Sequence, residues 1–249
     1  ELPRRGGIAI QGEDEIASIS MCLGAALAGR KVFTATSGPG MSLYSETIDF
    51  ALITEAPMVI VDVQRLGPST GGATTGAQGD VQFARWITAG GLPMVVLCPG
   101  SIESLFTLTV KAFNLAETLR TPVILLTQKD FVLSTLTVDL DRLRLPEPVN
   151  RKRFEGGGPY LPYAFETPGD GPPFAPIGGE ALVRYTGSMH DAAGYLTKNP
   201  AEIAAKFRHL EAKILRNAAL IETLTLDLEA RSGERRVGEE GIYPGSADH

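Results

Sequence analysis

Short runs of apolar and β-branched residues alternate along the chain with longer stretches of mixed polarity. The runs IAIQ (8–11), VFTAT (32–36), MVIVDV (58–63), MVVLC (94–98) and PVILLT (122–127) are nearly continuous in such residues, the pattern of parallel strands covered on both faces. They predict five strands. Between them, 14–28, 41–54, 79–88 and 102–119 predict helices. Glu13 and Asp14 put negative charge at the start of the first helix, where the backbone dipole favours it. Ser101 with Ser104 opens the fourth. Alternating β and α units predict an α/β fold, a three-layer, doubly wound parallel sheet with ligands expected at the carboxyl ends of the strands.

The pattern changes near residue 145. Residues 145–185 carry many of the 17 prolines, in EGGGPYLPY and PGDGPPFAP, and predict an irregular Pro/Gly-rich arm. Asn199 and Pro200 then open a long amphipathic helix reaching to about Ala230. The expected organisation is an α/β domain over 1–145, the arm and long helix over 146–230, and a disordered or non-native tail over 231–249.

Composition narrows the function classes. The 249 residues are 43% hydrophobic and 21% charged, with a net charge of −6, enough for a sizeable core. No long basic run points to nucleic acid. No apolar stretch approaches the roughly 20 residues of a membrane helix. Two cysteines, Cys22 and Cys98, exclude a disulfide scaffold and cannot supply four thiolates to an iron–sulfur cluster. A cytoplasmic location is expected.

Three loops follow three consecutive strands: QGEDE with Glu15, TSGPG (36–40), and RLGPSTGGATTGAQGD (65–80). In a doubly wound sheet they share one edge. Their glycines permit close backbone approach, and helix N-termini offer free N–H donors. Singly, each also reads as a turn, a helix-dipole partner or a surface cation. Together they describe a binding site at a sheet edge.

The stretch EDEIASISMCLGAALAGRKVFTATSGPGMSLYSETIDFALITEAPMVIVDVQRLGPSTG, with QGD at 78–80, AFNLAETLRTPVILLT at 112–127 and TGSMHDAAGYLTKNP at 186–200, resembles the pyrimidine-binding module of the α subunit of 2-oxoacid:ferredoxin oxidoreductases, 2-oxoglutarate type. The resemblance covers about residues 6–215. It implies an enzyme that uses thiamine diphosphate, shared with a β subunit, to decarboxylate a 2-oxoacid oxidatively. The acyl group would pass to coenzyme A and the electrons to ferredoxin. Magnesium and the [4Fe-4S] cluster would belong to the partner chain, with no metal ligand here.

By the same resemblance, Glu15 holds the pyrimidine ring nitrogen, and Ser37, Gly38, Pro39 and Gly40 shape the cofactor approach. Arg65 meets the substrate carboxylate, and Ser69, Thr70 and Thr74 line the same pocket. Two departures stand out. Ala73 occupies a position where the family has proline. The family's earlier Tyr-Pro-Ile-Thr-Pro motif does not occur, so its strand is expected to be missing and the site incomplete. GDG at 169–171 with Asn199 mimics a diphosphate–magnesium motif, but its flanks FETP and PPF predict a turn. His190 is expected to be structural, and Tyr44, Trp86 and Phe113 to pack. The alternatives are a pyruvate or broad 2-oxoacid member, or a non-catalytic assembly module.

Overall fold

The computed structural model describes residues 2–222. Four parallel strands form one sheet in the order β1-β2-β4-β3: β1 Phe33–Thr36, β2 Met58–Gln64, β3 Val95–Leu97 and β4 Pro122–Gln128. The central pair runs in register from Met58↔Pro122 to Gln64↔Gln128. One face packs on α1 (Glu15–Leu27), α2 (Pro39–Ile53) and α3 (Val81–Arg85) through Ile19, Ile48, Met58, Ile60, Ala84 and Ile124. The other packs on α4 (Ile102–Leu119) through Val59, Leu108, Leu115, Val123 and Leu125. The alternation of β2 side chains between these clusters follows from the two-residue period of a strand.

Local chemistry sets the helix starts. Asp14 caps α1, accepting the Ala17 amide at 2.7 Å. Ser101 and Ser104 form a reciprocal capping box on α4. Each satisfies amides that a first turn leaves free.

Four expectations are corrected. Residues 8–11 form no strand: no described strand pairs with them, and Ile8 and Ile10 are 79% and 68% exposed. The helix expected over 79–88 spans only Val81–Arg85, and Trp86, expected to pack, is 48% exposed beneath the Arg85 guanidinium. The long C-terminal helix breaks after α6 (Pro200–Leu215): Asn217 leaves helical geometry, its amide side chain donates to the Lys213 carbonyl, and α7 (Ala218–Ile221) follows. Residues 223–249, and with them the expected tail, lie outside the described residues. A short α5 (Lys129–Leu133) follows β4.

The arm is irregular but tied down. Prolines carry carbonyls without N–H donors, and arginines supply what is lacking. Arg120 donates to the carbonyls of Pro162 and Pro172 at 3.0 and 3.1 Å. Arg151 pairs with Glu117 at 2.6 Å and donates to the Ala26 carbonyl. GDG is a turn, with Gly169 at φ +97° and Asp170 exposed.

Helix α6 docks through a buried charge cluster. Glu55, 0% exposed, accepts from Lys206, from Lys213 at 2.7 Å and from His209 at 3.3 Å. Burial alone would push the Glu55 carboxyl up, but Lys206, Lys213 and His209 outweigh it and hold it well below its usual range. Burial lowers the Lys213 ammonium to about 7, against the pull of Glu55. Arg120 Nε donates to the Glu55 carbonyl at 3.3 Å. Both Glu55 and Arg120 have left-handed backbones, φ +53° and +48°.

Candidate active site

The loops after β1 and β2 meet the start of α1 at the carboxyl edge of the sheet. Gly40, at the start of α2, carries no Cβ where one would collide with Thr36 Oγ1 and sit 2.9 Å from Glu15 Oε1. The glycine therefore lets the Glu15 carboxylate lie against the TSGPG turn. Gly38 does the same for Arg65: a Cβ there would sit 2.5 Å from Nε and 2.9 Å from Cζ of the guanidinium. Its φ of +62° also favours glycine. Ser37 fixes the turn to β2, its hydroxyl donating to the Val63 carbonyl at 2.7 Å. Pro39 occupies the first turn of α2, where its missing N–H costs nothing.

Arg65 leaves β2 one residue past its end. Nη2 donates to the Thr70 carbonyl at 3.2 Å, while Nε is buried without a partner. The loop folds back through a bridge between Leu66 and Gly72, with the Leu66 amide donating to Thr75. Thr70 thus joins Arg65 by its carbonyl. The side chains of Ser69 and Thr74 are exposed on the same loop and make no hydrogen bond that ties them to Arg65. Glu15, Ser37, Gly38, Gly40 and Arg65 are brought together.

Residues missed from sequence lie just beneath. Asp62 on β2 is 0% exposed, and neither of its carboxylate oxygens has a hydrogen-bond partner. Burial, and then the charge of Asp80, push its carboxyl up to about 7. Asp80 precedes α3. Burial raises its carboxyl too, opposed by the backbone N–H and the charge of Arg65. Gln64 accepts the Asp80 amide at 3.4 Å. A lone aspartate in an apolar strand, MVIVDV, was the signal available. His190 lies packed in the arm: its Nδ1 meets the Ser188 carbonyl at 2.7 Å, its ring lies on Tyr163, its Nε2 is buried without a partner, and burial lowers its pKa to about 4. Cys22 and Cys98 are free thiols pushed up by burial.

A cleft of about 340 Å³ opens elsewhere, in the arm among Phe154, Tyr160 and Phe165. None of its lining residues belongs to the three loops. At the sheet edge, by contrast, Asp62, Asp80 and Arg65 each have a buried polar atom without a hydrogen-bond partner.

A parallel α/β sheet with a carboxylate and a guanidinium flanking one glycine turn is the architecture of a cofactor-binding module. The arrangement suits an aminopyrimidine: a carboxylate lies at the glycine turn, the turn has room for close approach, and a buried guanidinium nitrogen has no partner. Among the described residues no cluster of three or more His, Cys, Asp or Glu is placed to hold a metal.

Residues 3–206 match the pyruvate flavodoxin/ferredoxin oxidoreductase, thiamine diphosphate-binding family. The chain is 40% identical over 218 residues to the 2-oxoglutarate synthase subunit KorA of Methanocaldococcus jannaschii, covering 87% of this chain and 58% of that one. It is 52% identical over 128 residues to the subunit of the same name from Archaeoglobus fulgidus, 51% of this chain and 37% of that one. A solved structure, the 2-oxoglutarate:ferredoxin oxidoreductase from Magnetococcus marinus with 2-oxoglutarate, coenzyme A and succinyl-CoA bound, superposes with a TM-score of 0.80 at 33% identity, over 91% of this chain and 40% of that one. This chain belongs to the pyruvate flavodoxin/ferredoxin oxidoreductase family and carries its thiamine diphosphate-binding domain. It spans somewhat more than half the length of the M. jannaschii relative.

Proposed function

We propose that this chain is the pyrimidine-binding part of the α subunit of a thiamine diphosphate-dependent 2-oxoacid:ferredoxin oxidoreductase acting on 2-oxoglutarate. The substrate follows the printed names of the relatives and of the structural neighbour. In this reading a β subunit supplies the diphosphate and magnesium site and the iron–sulfur cluster, and coenzyme A and ferredoxin are the acyl and electron acceptors.

When bound, thiamine diphosphate supplies a carbon nucleophile for attack on the 2-oxo carbon. The chain's own residues position and charge-balance that event. Glu15 holds the pyrimidine ring nitrogen by a charge-assisted hydrogen bond and keeps a proton there. Gly38 and Gly40 keep the turn bare, so that Glu15 and the ligand approach without a Cβ between them. Arg65 pairs with the anionic end of the 2-oxoacid through its planar fork. Thr70 steadies that fork through its carbonyl, and Ser69 and Thr74 offer hydroxyls on the same loop.

The observation that carries this reading is the Arg65 guanidinium, seated on Gly38 with its Nε buried and unpartnered. A buried donor without an acceptor costs about 1–3 kcal/mol, so the site is built to receive an anion. Arg65→Lys retains the charge and loses the fork. In the reconstituted complex it should weaken 2-oxoacid binding by about 1–3 kcal/mol, and Arg65→Ala by more. Neither should change cofactor affinity. A fall in cofactor affinity with an unchanged KM would assign Arg65 to the cofactor instead.

A further inference from the structure

The loop that carries Arg65 is held at its far end by the neighbouring strand. Gln64 and Gln128 are register partners at the ends of β2 and β4, so their side chains leave the same face of the sheet. Both reach the returning limb of the loop. Gln128 Oε1 accepts the Gln78 side-chain amide at 2.9 Å, and Gln64 Oε1 accepts the Asp80 backbone amide at 3.4 Å. Gly76, on the same limb, lies against α5: a Cβ there would stand 3.0 Å from Asp130 Oδ2.

From this limb a short run of contacts leads back to Arg65. The Thr75 carbonyl accepts the Leu66 amide, and the Leu66 carbonyl accepts the Gly72 amide, both at 2.9 Å. Arg65 directly precedes Leu66, and its Nη2 donates to the Thr70 carbonyl within the same fold of chain. The limb that aims the guanidinium is thus set by the returning limb, and the returning limb by β4. With Gly71, Gly72, Gly76 and Gly79 in it, the loop has little stiffness of its own. Gln78 is exposed and Gln128 half-buried. Two amides in such a place gain little net stability from their bond, since water serves each almost as well. What the bond fixes is the position of the loop on the strand.

We propose that Gln78 and Gln128 form a clasp that positions Arg65 for the substrate carboxylate. The proposal rests on the reading of Arg65 as the substrate-carboxylate residue. Neither glutamine touches substrate; both act through the loop. A guanidinium already in place meets an anion without first ordering a glycine-rich segment, and that ordering would otherwise oppose binding. Releasing the clasp weakens substrate binding. It leaves the cofactor, which in this reading meets Glu15 and the TSGPG turn, untouched.

The test has two parts. Gln78→Met and Gln128→Met keep the length of the side chain and remove the hydrogen bond without adding charge. In the reconstituted complex each should raise KM for the 2-oxoacid about 2- to 10-fold, the worth of one neutral hydrogen bond, with kcat and cofactor affinity little changed. The double variant should raise it no further than either single, because the second change removes a bond already lost. In the full chain, NMR gives a reading that needs no activity. The Gln78 side-chain amide, identified by its loss in Gln78→Met, should shift upfield in Gln128→Met. An amide indifferent to Gln128→Met, or additive effects in the double variant, overturns the clasp. A KM that ignores both changes while Arg65→Ala raises it overturns the positioning role, as does a fall in kcat at constant KM. An Arg65→Ala enzyme with unchanged KM would remove the substrate reading of Arg65 and leave the amide shift standing, so the two failures are told apart.

Discussion

Arg65 lies on Gly38 so closely that the absence of one methyl group decides where its guanidinium can go: a Cβ at Gly38 would stand 2.5 Å from Nε. Sequence places the two residues on different loops, and the fold makes one the floor of the other. Gly38→Ala should therefore act on substrate binding without touching any charged residue. The expected result is a raised KM for the 2-oxoacid, together with a loss of stability, because Gly38 at φ +62° and ψ −127° holds a backbone conformation that alanine rarely adopts. Steady-state kinetics and a melting curve on the same variant check both.

Glu15 has the same relationship to Gly40. Glu15→Gln replaces a charged acceptor with an amide of the same shape. Exchange of the cofactor's acidic ring proton in the complete complex should slow by at least about 10²-fold, the lower range for a positioned proton-transfer group. The fold should persist. Near-normal exchange would return Glu15 to the role of a helix-start charge.

Glu55 is a test of stability. Glu55→Gln leaves Lys206 and Lys213 buried without a counter-charge and should cost about 3–5 kcal/mol. Glu211→Gln, on the exposed side of α6, should cost little. The pH dependence has a definite sign. The folded Glu55 pKa lies below the unfolded one, so its contribution is present above the usual glutamate range and is lost as pH falls through and below it. Denaturant titrations of both variants on either side of that range separate the two.

Asp62 should act in the opposite direction. Its folded pKa of about 7 lies above the usual aspartate value. Between the two values the folded state binds the proton and the unfolded state does not, so stability declines as pH rises through this window. The full shift corresponds to roughly 4 kcal/mol. Asp62→Asn should flatten the decline, and unfolding midpoints for both proteins at several pH values measure it.

The parts of the fold legible in sequence were those decided locally. Strands β2 and β4 read as apolar runs because both faces are covered. Ser101 and Asn199 read as helix starts because a cap needs only its own helix, and Asp14 read there as a charge favoured by the helix dipole. IAIQ at 8–11 has the same local look and fails because a strand needs a neighbour. Glu15 and Arg65 stood out as charges at the ends of apolar runs. Asp62 did not, because its isolation depends on Thr36, Leu126 and Asp80, which lie far from it in sequence. Lys206, His209 and Lys213 looked like the polar face of an amphipathic helix. Only the position of Glu55 makes that face an inner one.

Two of the described residues that end helices here depart from common usage. The chain after α2 and the end of α4 both turn through a left-handed residue, a place where glycine is the usual choice. Glu55 and Arg120 stand there instead, and they touch. Each carries a backbone cost of about 1–2 kcal/mol, offset by what its side chain holds. For protein engineering the consequence is a trap. A stabilisation scheme that restores glycine at left-handed helix ends would score both positions as gains. It would relax two turns and release α6 from the sheet, giving a chain with better local geometry and a looser body.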